Sequence, residues 1–434
     1  MRQRARADLS PLNGMVLQDN VVLVVQARRR EVRHINRSIS RGWNMLFSKM
    51  CGCASPMEFY SRNTDLDRRD LLCAGGAGFV SALVATMCGA AKAARAQTLG
   101  RTIPEVDHLS VRIVTDNYVF FFMPSQKLND FSMERMGPQL NDQPPRKDLL
   151  AEFGLSLHVE SRRGPEARNI LVDFGITPEV LLNNLAILKV DPASLDALVL
   201  SHGHYDHFGG LVGFLAAAKG RLKANTPFFV GGEDCFCTRE FGRGGNMGAL
   251  DRNALRDADL TLMVSEGPSI VADHGFTSGP IALSSFEKPL VPSKMKAGVV
   301  DGFGCFPDRL PPERNSNTFV PDDFQHEIAT NFLVRDKGLV VITSCSHRGV
   351  VNTVKQAQVV SGVQKVHAII GGMHLVPPLT EDYIREAVAN LKVINPDYII
   401  PAHCTGETFY EIAKAEMPGK VIRSTVGARF TFGA

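Results

Sequence analysis

Much of this 434-residue chain has no basic surface, no disulfide framework, no internal repeat and no strongly apolar span. From Gln97 onward, 33 Lys+Arg face 38 Asp+Glu, a net of −5. The formal charge of +3 therefore comes from the N-terminal end, where residues 1–56 carry ten Lys+Arg against three Asp+Glu. A mildly acidic body argues against nucleic-acid or anionic-membrane binding. Nine cysteines are present, but only Cys235, Cys237, Cys305, Cys345 and Cys404 follow Gln97. An odd number without regular spacing predicts no disulfide framework. The long uncharged run, Leu71 to Ala91, is dominated by Ala and Gly, too weakly apolar for a stable membrane anchor. What remains is ordinary soluble-protein material, 44% hydrophobic and 21% charged, with enough apolar mass for a large core.

That weak run has informative flanks. Asp67-Arg68-Arg69-Asp70-Leu71-Leu72 precedes it and Ala94-Arg95-Ala96 follows it. A basic flank, an apolar stretch and a small-x-small site make up a secretory signal peptide. Paired arginines directly before the run resemble the twin-arginine type. Residues 57–96 are thus read as an export signal cleaved before Gln97. The export machinery is then a partner, and a bacterial periplasm the destination. Neither Cys73 nor Cys88 has a lipid-attachment context. Such signals begin near a start, and Met57 is well placed for one. Residues 1–56 are either upstream sequence or a disordered basic extension.

The body, 97–434, alternates strand-like and helix-like segments. Val111 to Met123, Leu155 to Glu160 and Ile170 to Phe174 read as strands. Thr177-Pro178-Glu179 is an N-cap with proline at the first helical position, and Leu181, Leu185 and Leu188 share the face that follows. Leu195 to Leu200 is a short strand that delivers Ser201-His202, with a helix from Gly209 to Lys219. Residues 225–323 are rich in Gly, Pro and charge and predict a lid or substrate-binding insertion. Regular order resumes with strands at Gly338–Thr343, His367–Ile370 and Tyr398–Ile400. Between them lie helices containing Val350, Val354 and Ala357, and then Glu381 to Val393. Thr425 to Phe432 reads as a closing strand. The order suggests an α/β fold, a four-layer αβ/βα sandwich.

The chemistry concentrates at His202, His204, Asp206 and His207, four metal-ligating side chains within six residues. Histidines at i and i+2 just past a strand can share one metal, while Asp206 and His207 face a second. Imidazole and carboxylate suit zinc, and also manganese or iron. His347, His374 and His403 each end an apolar strand and precede small or turn-forming residues. Strand carboxyl ends are where α/β folds collect their sites.

Ser201-His202-Gly203-His204-Tyr205-Asp206-His207 resembles the second signature motif of the metallo-β-lactamase superfamily. Asp173, in Leu171-Val172-Asp173-Phe174-Gly175, resembles the first, a buried aspartate bracing the metal loop; His347 and His403 resemble the third and fifth. A closer resemblance is to the dihydropterin–ribofuranosylaminobenzene-phosphate synthase-like branch. It is carried by Thr115-Asp116-Asn117, Glu152-Phe153-Gly154-Leu155-Ser156, Thr277-Ser278-Gly279, Cys345-Ser346-His347-Arg348-Gly349, Gly371-Gly372-Met373-His374 and Pro401-Ala402-His403-Cys404-Thr405-Gly406.

The resemblance implies two divalent metal ions, with zinc first and manganese or iron as alternatives. It also implies a small-molecule substrate and attack by metal-activated hydroxide oriented by Asp206. The fourth motif usually supplies a bridging aspartate, and this chain offers His374. A neutral imidazole has one free lone pair, so it cannot bridge as a carboxylate does. His374 is then a ligand to a more weakly held metal or a donor facing substrate. Arg348 and the amides after His347 suggest a hold for an anionic group. Cys345 and Cys404 read as small packing residues.

Hydrolysis of an ester-type bond leads, with phosphoesters or phosphodiesters ahead of lactones. The branch name suggests a synthase, although its pathway is cytoplasmic. Diiron redox chemistry on this fold usually carries Glu where His204 stands and a flavin module, and no such module is evident. A metal-containing binding protein is the non-catalytic reading.

Overall fold

The computed structural model describes residues 102–128, 130–136, 147–242, 244–289 and 293–433, all within the compact unit Gly89–Ala434. The upstream extension and the export signal lie outside the described residues. Among the described residues, no helix is long and apolar enough to cross a membrane.

Two mixed sheets pack face to face. One has nine strands in the order Thr261–Val264, Pro227–Val230, Ala197–Val199, Glu166–Val172, Ser156–Arg163, His108–Thr115, Arg429–Gly433, Phe131–Glu134 and Gln126–Leu128. Its first four strands run parallel and the rest antiparallel. The other has seven strands, with Gly338–Thr343, Val366–Gly371 and Tyr398–Pro401 forming a parallel run.

Residue alternation explains the layering, because successive side chains in a strand point to opposite faces. Val340, Ile342, Ala368 and Ile370 join Ile113, Ile170, Val172 and Val199 in the core between the sheets. Their neighbours Leu339, Val341 and Ile369 face outward and pack under Val350–Ser361, Glu381–Ile394 and Glu407–Glu416. On the opposite side Leu171, Leu198 and Leu200 pack under Pro178–Ile187 and Leu211–Ala217. Strands apolar on both faces are those buried between layers. The four-layer αβ/βα sandwich is the fold of this chain.

The Thr177 cap forms: its hydroxyl accepts from Val180 N at 3.4 Å, and Glu152 accepts from Thr177 Oγ1 at 2.6 Å. The first strand, however, stops at Thr115, and the closing strand starts at Arg429. Thr330–Val334 and Glu407–Glu416 were not anticipated.

Residues 225–323 do not form a single insertion. Pro227–Val230 and Thr261–Val264 complete the nine-stranded sheet, while Ile270–Val271 and Gly275–Thr277 extend the other. Four-residue strands hold too little periodicity to stand out among glycines and prolines. The true excursion is a four-stranded sheet of Gly245–Gly248, Thr238–Phe241, Ser293–Lys296 and Val320–Pro321, plus a hairpin of Gly298–Val300 with Phe303–Cys305. A Cys237–Cys305 disulfide, across 68 residues, ties the two parts together. The cysteine count gave no sign of this bridge.

Candidate metal centre

The loop after Ala197–Val199 is shaped from beneath by Asp173. Its Oδ1 accepts from Ser201 N at 2.8 Å and its Oδ2 from Ser201 Oγ at 2.8 Å. Asp173 adopts φ +58°, a left-handed backbone that aspartate tolerates better than most residues. Further main-chain bonds hold the loop: Phe174 N to His207 O at 2.7 Å, Leu155 N to Asp206 O at 3.2 Å and Ile328 N to Ser201 O at 2.9 Å.

Gly203 is required by a buried arginine. A Cβ there would stand 2.2 Å from Cys235 O and 2.4 Å from a terminal nitrogen of Arg239. Arg239 is fully buried and bonded through Nε to Asp322 Oδ2 at 2.6 Å, and through its other nitrogens to Asp234 O, Cys235 O and Cys237 O. All its main donors are thereby spent on protein acceptors.

His347 and His403 arrive from the parallel strands of the second sheet. Glu327 accepts from His347 N and Arg348 N, each at 2.8 Å. Asp116 accepts from His403 N at 2.9 Å and from Ser424 Oγ at 2.9 Å, and Asn117 Nδ2 donates to His403 O at 2.6 Å. Asp116 and Glu327 were missed as site-building residues. Asp116 had been noted only as part of a family motif, and nothing around Glu327 signals a site.

Two donor clusters result. His202, His204 and His347 offer ligand atoms within 4.8 Å of one another, as do Asp206, His207 and His403. His202 Nε2 faces His347 Nε2 at 3.2 Å, and His207 Nε2 faces His403 Nε2 at 3.1 Å. Asp206 Oδ2 lies 3.2 Å from His403 Nε2. Six of the seven proposed ligands are therefore brought together. His374 belongs to neither cluster; its ring lies 4.3 Å from that of His347, centroid to centroid, on the cavity wall.

Burial and neighbouring imidazoles hold His202 and His347 well below the ordinary histidine range. Burial, with Arg239 nearby, brings His204 down to about 3 against the pull of Asp206. These rings keep a free lone pair at neutral pH. For His207 burial works downward, but the Asp206 and Asp173 carboxylates overcome it and raise the ring. Burial likewise opposes ionisation of Asp206, and His207 and His403 reverse it, holding the carboxyl well below its usual range. Facing imidazole nitrogens beside one half-buried carboxylate are a donor set for divalent cations, and these residues fit such ions. The far ring nitrogens are held as well: Asp173 meets His207 Nδ1 at 2.8 Å and Ser201 Oγ meets His202 Nδ1 at 2.9 Å, which fixes the orientation of both rings. Ser293 Oγ lies 2.9 Å from His204 Nε2.

His204 and His347 of one cluster and Asp206 and His403 of the other line a cavity of about 800 Å³. Its walls include Tyr118, Phe153, Tyr205, Phe241, Met247, Val376 and Pro377, with Glu407 at one side. Arg348 is not among the lining residues. Its Nε donates to Ile281 O and a terminal nitrogen to Asp323 O, each at 2.6 Å. The expectation that Arg348 holds an anionic substrate group is corrected: it lies outside the cavity lining, two carbonyls take its Nε and one terminal nitrogen, and it braces the loop behind His347.

A family model described as the metallo-β-lactamase superfamily matches residues 160–291, which include the His202–His207 loop. The chain is 28% identical over 285 residues to a 7,8-dihydropterin-6-methyl-4-(β-D-ribofuranosyl)-aminobenzene-5′-phosphate synthase of Methanocaldococcus jannaschii, covering 63% of this chain and 90% of that protein. An uncharacterized protein of the same archaeon is 28% identical over 293 residues, 66% of this chain and 96% of its own length. The solved structure of Tm1679, described as a metal-dependent hydrolase of the β-lactamase superfamily, superposes with a TM-score of 0.52 at 21% identity, covering 74% of this chain and 98% of that one. With fold, buried aspartate and histidine clusters in agreement, the chain carries the metallo-β-lactamase fold and a donor set for divalent metal, and is similar over residues 160–291 to the enzymes of that superfamily.

Proposed function

We propose that the protein hydrolyses ester-type bonds, and that its substrates are uncharged carboxylic esters or lactones in preference to phosphoesters. The observation that carries this reading is the cavity lining. Among the described residues that line it, aromatic and aliphatic side chains predominate and no lysine or arginine occurs. A phosphoester brings charge that proteins usually meet with arginine or lysine. Here Arg348 lies outside the lining and is bonded to two carbonyls, and the Glu407 carboxylate is already paired with Arg423 at 2.6 Å. The order of preference drawn from sequence is thereby reversed.

Two divalent ions, zinc foremost, would be held by His202, His204 and His347 on one side and by Asp206, His207 and His403 on the other. When bound they supply Lewis acidity and make water more acidic. The chain's own residues do the rest. Asp206 stays ionised and orients the attacking water through its carboxylate. His374, lowered to about 4 mainly by burial, is neutral at pH 7 and keeps one N–H to donate to a substrate oxygen. Phe153, Phe241 and Met247 take up the apolar part of the substrate and displace water from it.

The synthase reading suggested by the archaeal relative is less favoured, since that protein's named product carries a phosphate. We place the enzyme in the bacterial periplasm after twin-arginine export. The Cys237–Cys305 disulfide supports an oxidising compartment.

The test is turnover by zinc-loaded protein on p-nitrophenyl acyl esters and lactones beside p-nitrophenyl phosphate and its diester. Acyl-ester or lactone kcat/KM at least tenfold above the phosphoesters supports the reading. The opposite order overturns the substrate class, and no turnover on any of them overturns hydrolysis.

A further inference from the structure

We propose that Cys345 supplies the bridging ligand of the metal centre, its thiolate sulfur standing in for the carboxylate absent from this chain. This rests on the metal-site reading above, and not on the choice of ester.

The bridging role is open because His374 lies outside both donor clusters and a neutral imidazole has one lone pair to give. Cys345 is placed between those clusters. Its sulfur shares a 4.8 Å group with His202 of the first cluster and His207 of the second, and another with His403 and Cys404. Cys345 Sγ is 3.2 Å from His207 Nε2. The side chain is 2% exposed and lines the cavity floor. A thiolate has several lone pairs and can bind two cations at once, its proton leaving to solvent as the first ion binds.

Cys404 has a different part. Its sulfur lies 3.3 Å from Cys345 Sγ and 3.7 Å from Cys345 O, as a donor to both. It remains a thiol that hydrogen-bonds the bridging sulfur. A sulfur ligand favours zinc and cobalt over manganese.

Cobalt(II) titration of the metal-free full chain tests the assignment. Expected are two equivalents of cobalt and a thiolate-to-cobalt charge-transfer band in the near ultraviolet. Cys345→Ser should lose the band and bind the second cobalt at least tenfold more weakly, whereas Cys404→Ser should keep the band. In a second measurement that needs no variant, bound zinc should slow iodoacetamide alkylation of Cys345 at least tenfold, as read by peptide mass spectrometry. Two bound cobalt ions without the band, or a band that survives Cys345→Ser, overturn the bridge and leave the metal site standing. A Cys345–Cys404 disulfide that persists in zinc-loaded protein under thiol reductant also overturns it. Failure to bind cobalt or zinc at all removes the metal-site reading and this inference together.

Discussion

Asp173 Oδ2 lies 2.8 Å from His207 Nδ1, with both side chains fully buried. The same carboxylate holds the amide and hydroxyl of Ser201, so one residue sets both the loop's path and the proton on His207. The other ring nitrogen is thereby left facing His403 Nε2. Asp173→Ala should weaken zinc binding about 10–100-fold, the usual effect of losing an outer-shell partner. It should also cost about 3 kcal/mol of stability, because three donors lose a buried acceptor. Calorimetric zinc titration and urea unfolding check the two effects separately.

Asp206 tests catalysis apart from folding. Asp206→Ala should lower kcat by about 10²–10⁴-fold on the preferred ester, the range for a positioned proton-handling group. Circular dichroism of the variant should stay near wild type, while its zinc-loaded melting temperature falls towards that of the metal-free protein, because one ligand is lost. If the wild type itself turns over nothing while binding zinc, the protein is a binder and this substitution has no rate to remove.

Metal ions bind the folded chain and not the unfolded one, so they add stability by mass action. At free zinc about 1,000-fold above its Kd, the gain is about 4 kcal/mol. Dialysis against a chelator should lower the melting temperature by about 8 °C or more, at about 2 °C per kcal/mol for a body of this size. Zinc should restore it. An unchanged melt after verified metal removal would count against buried ligation.

The Cys237–Cys305 bridge closes 68 residues of the least regular part of the body. Chain-entropy arguments give about 4 kcal/mol as an upper figure for a loop of this length, and measured values commonly fall to about 2–4 kcal/mol. Cys237→Ser should lower stability by that amount in urea titration. Added reductant should destabilise the wild type and leave the variant unchanged.

Acid should destabilise the protein in part through His158. Burial first, with Arg112 and Arg429 nearby, brings this ring down to about 4 from 6.5 against the hydrogen bond to Asn169. Between those two values the unfolded chain binds the proton and the folded chain does not. Stability present above pH 6.5 is therefore lost as pH falls towards 4. The full shift corresponds to about 3 kcal/mol, and partial contact with solvent reduces the expected effect to about 1–2 kcal/mol. His158→Gln should flatten the decline by that amount when unfolding is measured at pH 7 and pH 4.

The sequence alone was enough to find the His202–His207 loop, because local chemistry suffices there: four ligating side chains follow one short strand. His347 and His403 were legible for the same reason, each sitting where an apolar strand ends. The Thr177 cap and the helix behind it also follow from neighbouring residues. The fold class followed from the alternation of such segments.

What faces what was decided only by sheet pairing. His202 and His347 meet across 145 residues and His207 and His403 across 196, and no local signal encodes either distance. Asp116 and Glu327 became recognisable as braces only when their acceptors met distant amides. Arg348, which reads from sequence as a hold for an anionic group, turned out to lie outside the cavity, bonded to two carbonyls. The apolar cavity, the Cys237–Cys305 bridge and the place of Cys345 between two clusters likewise depend on residues far apart along the chain. Local propensity acts over one turn or one strand, whereas a buried site is assembled by packing whole layers, and only the packed layers set its distances and its charge.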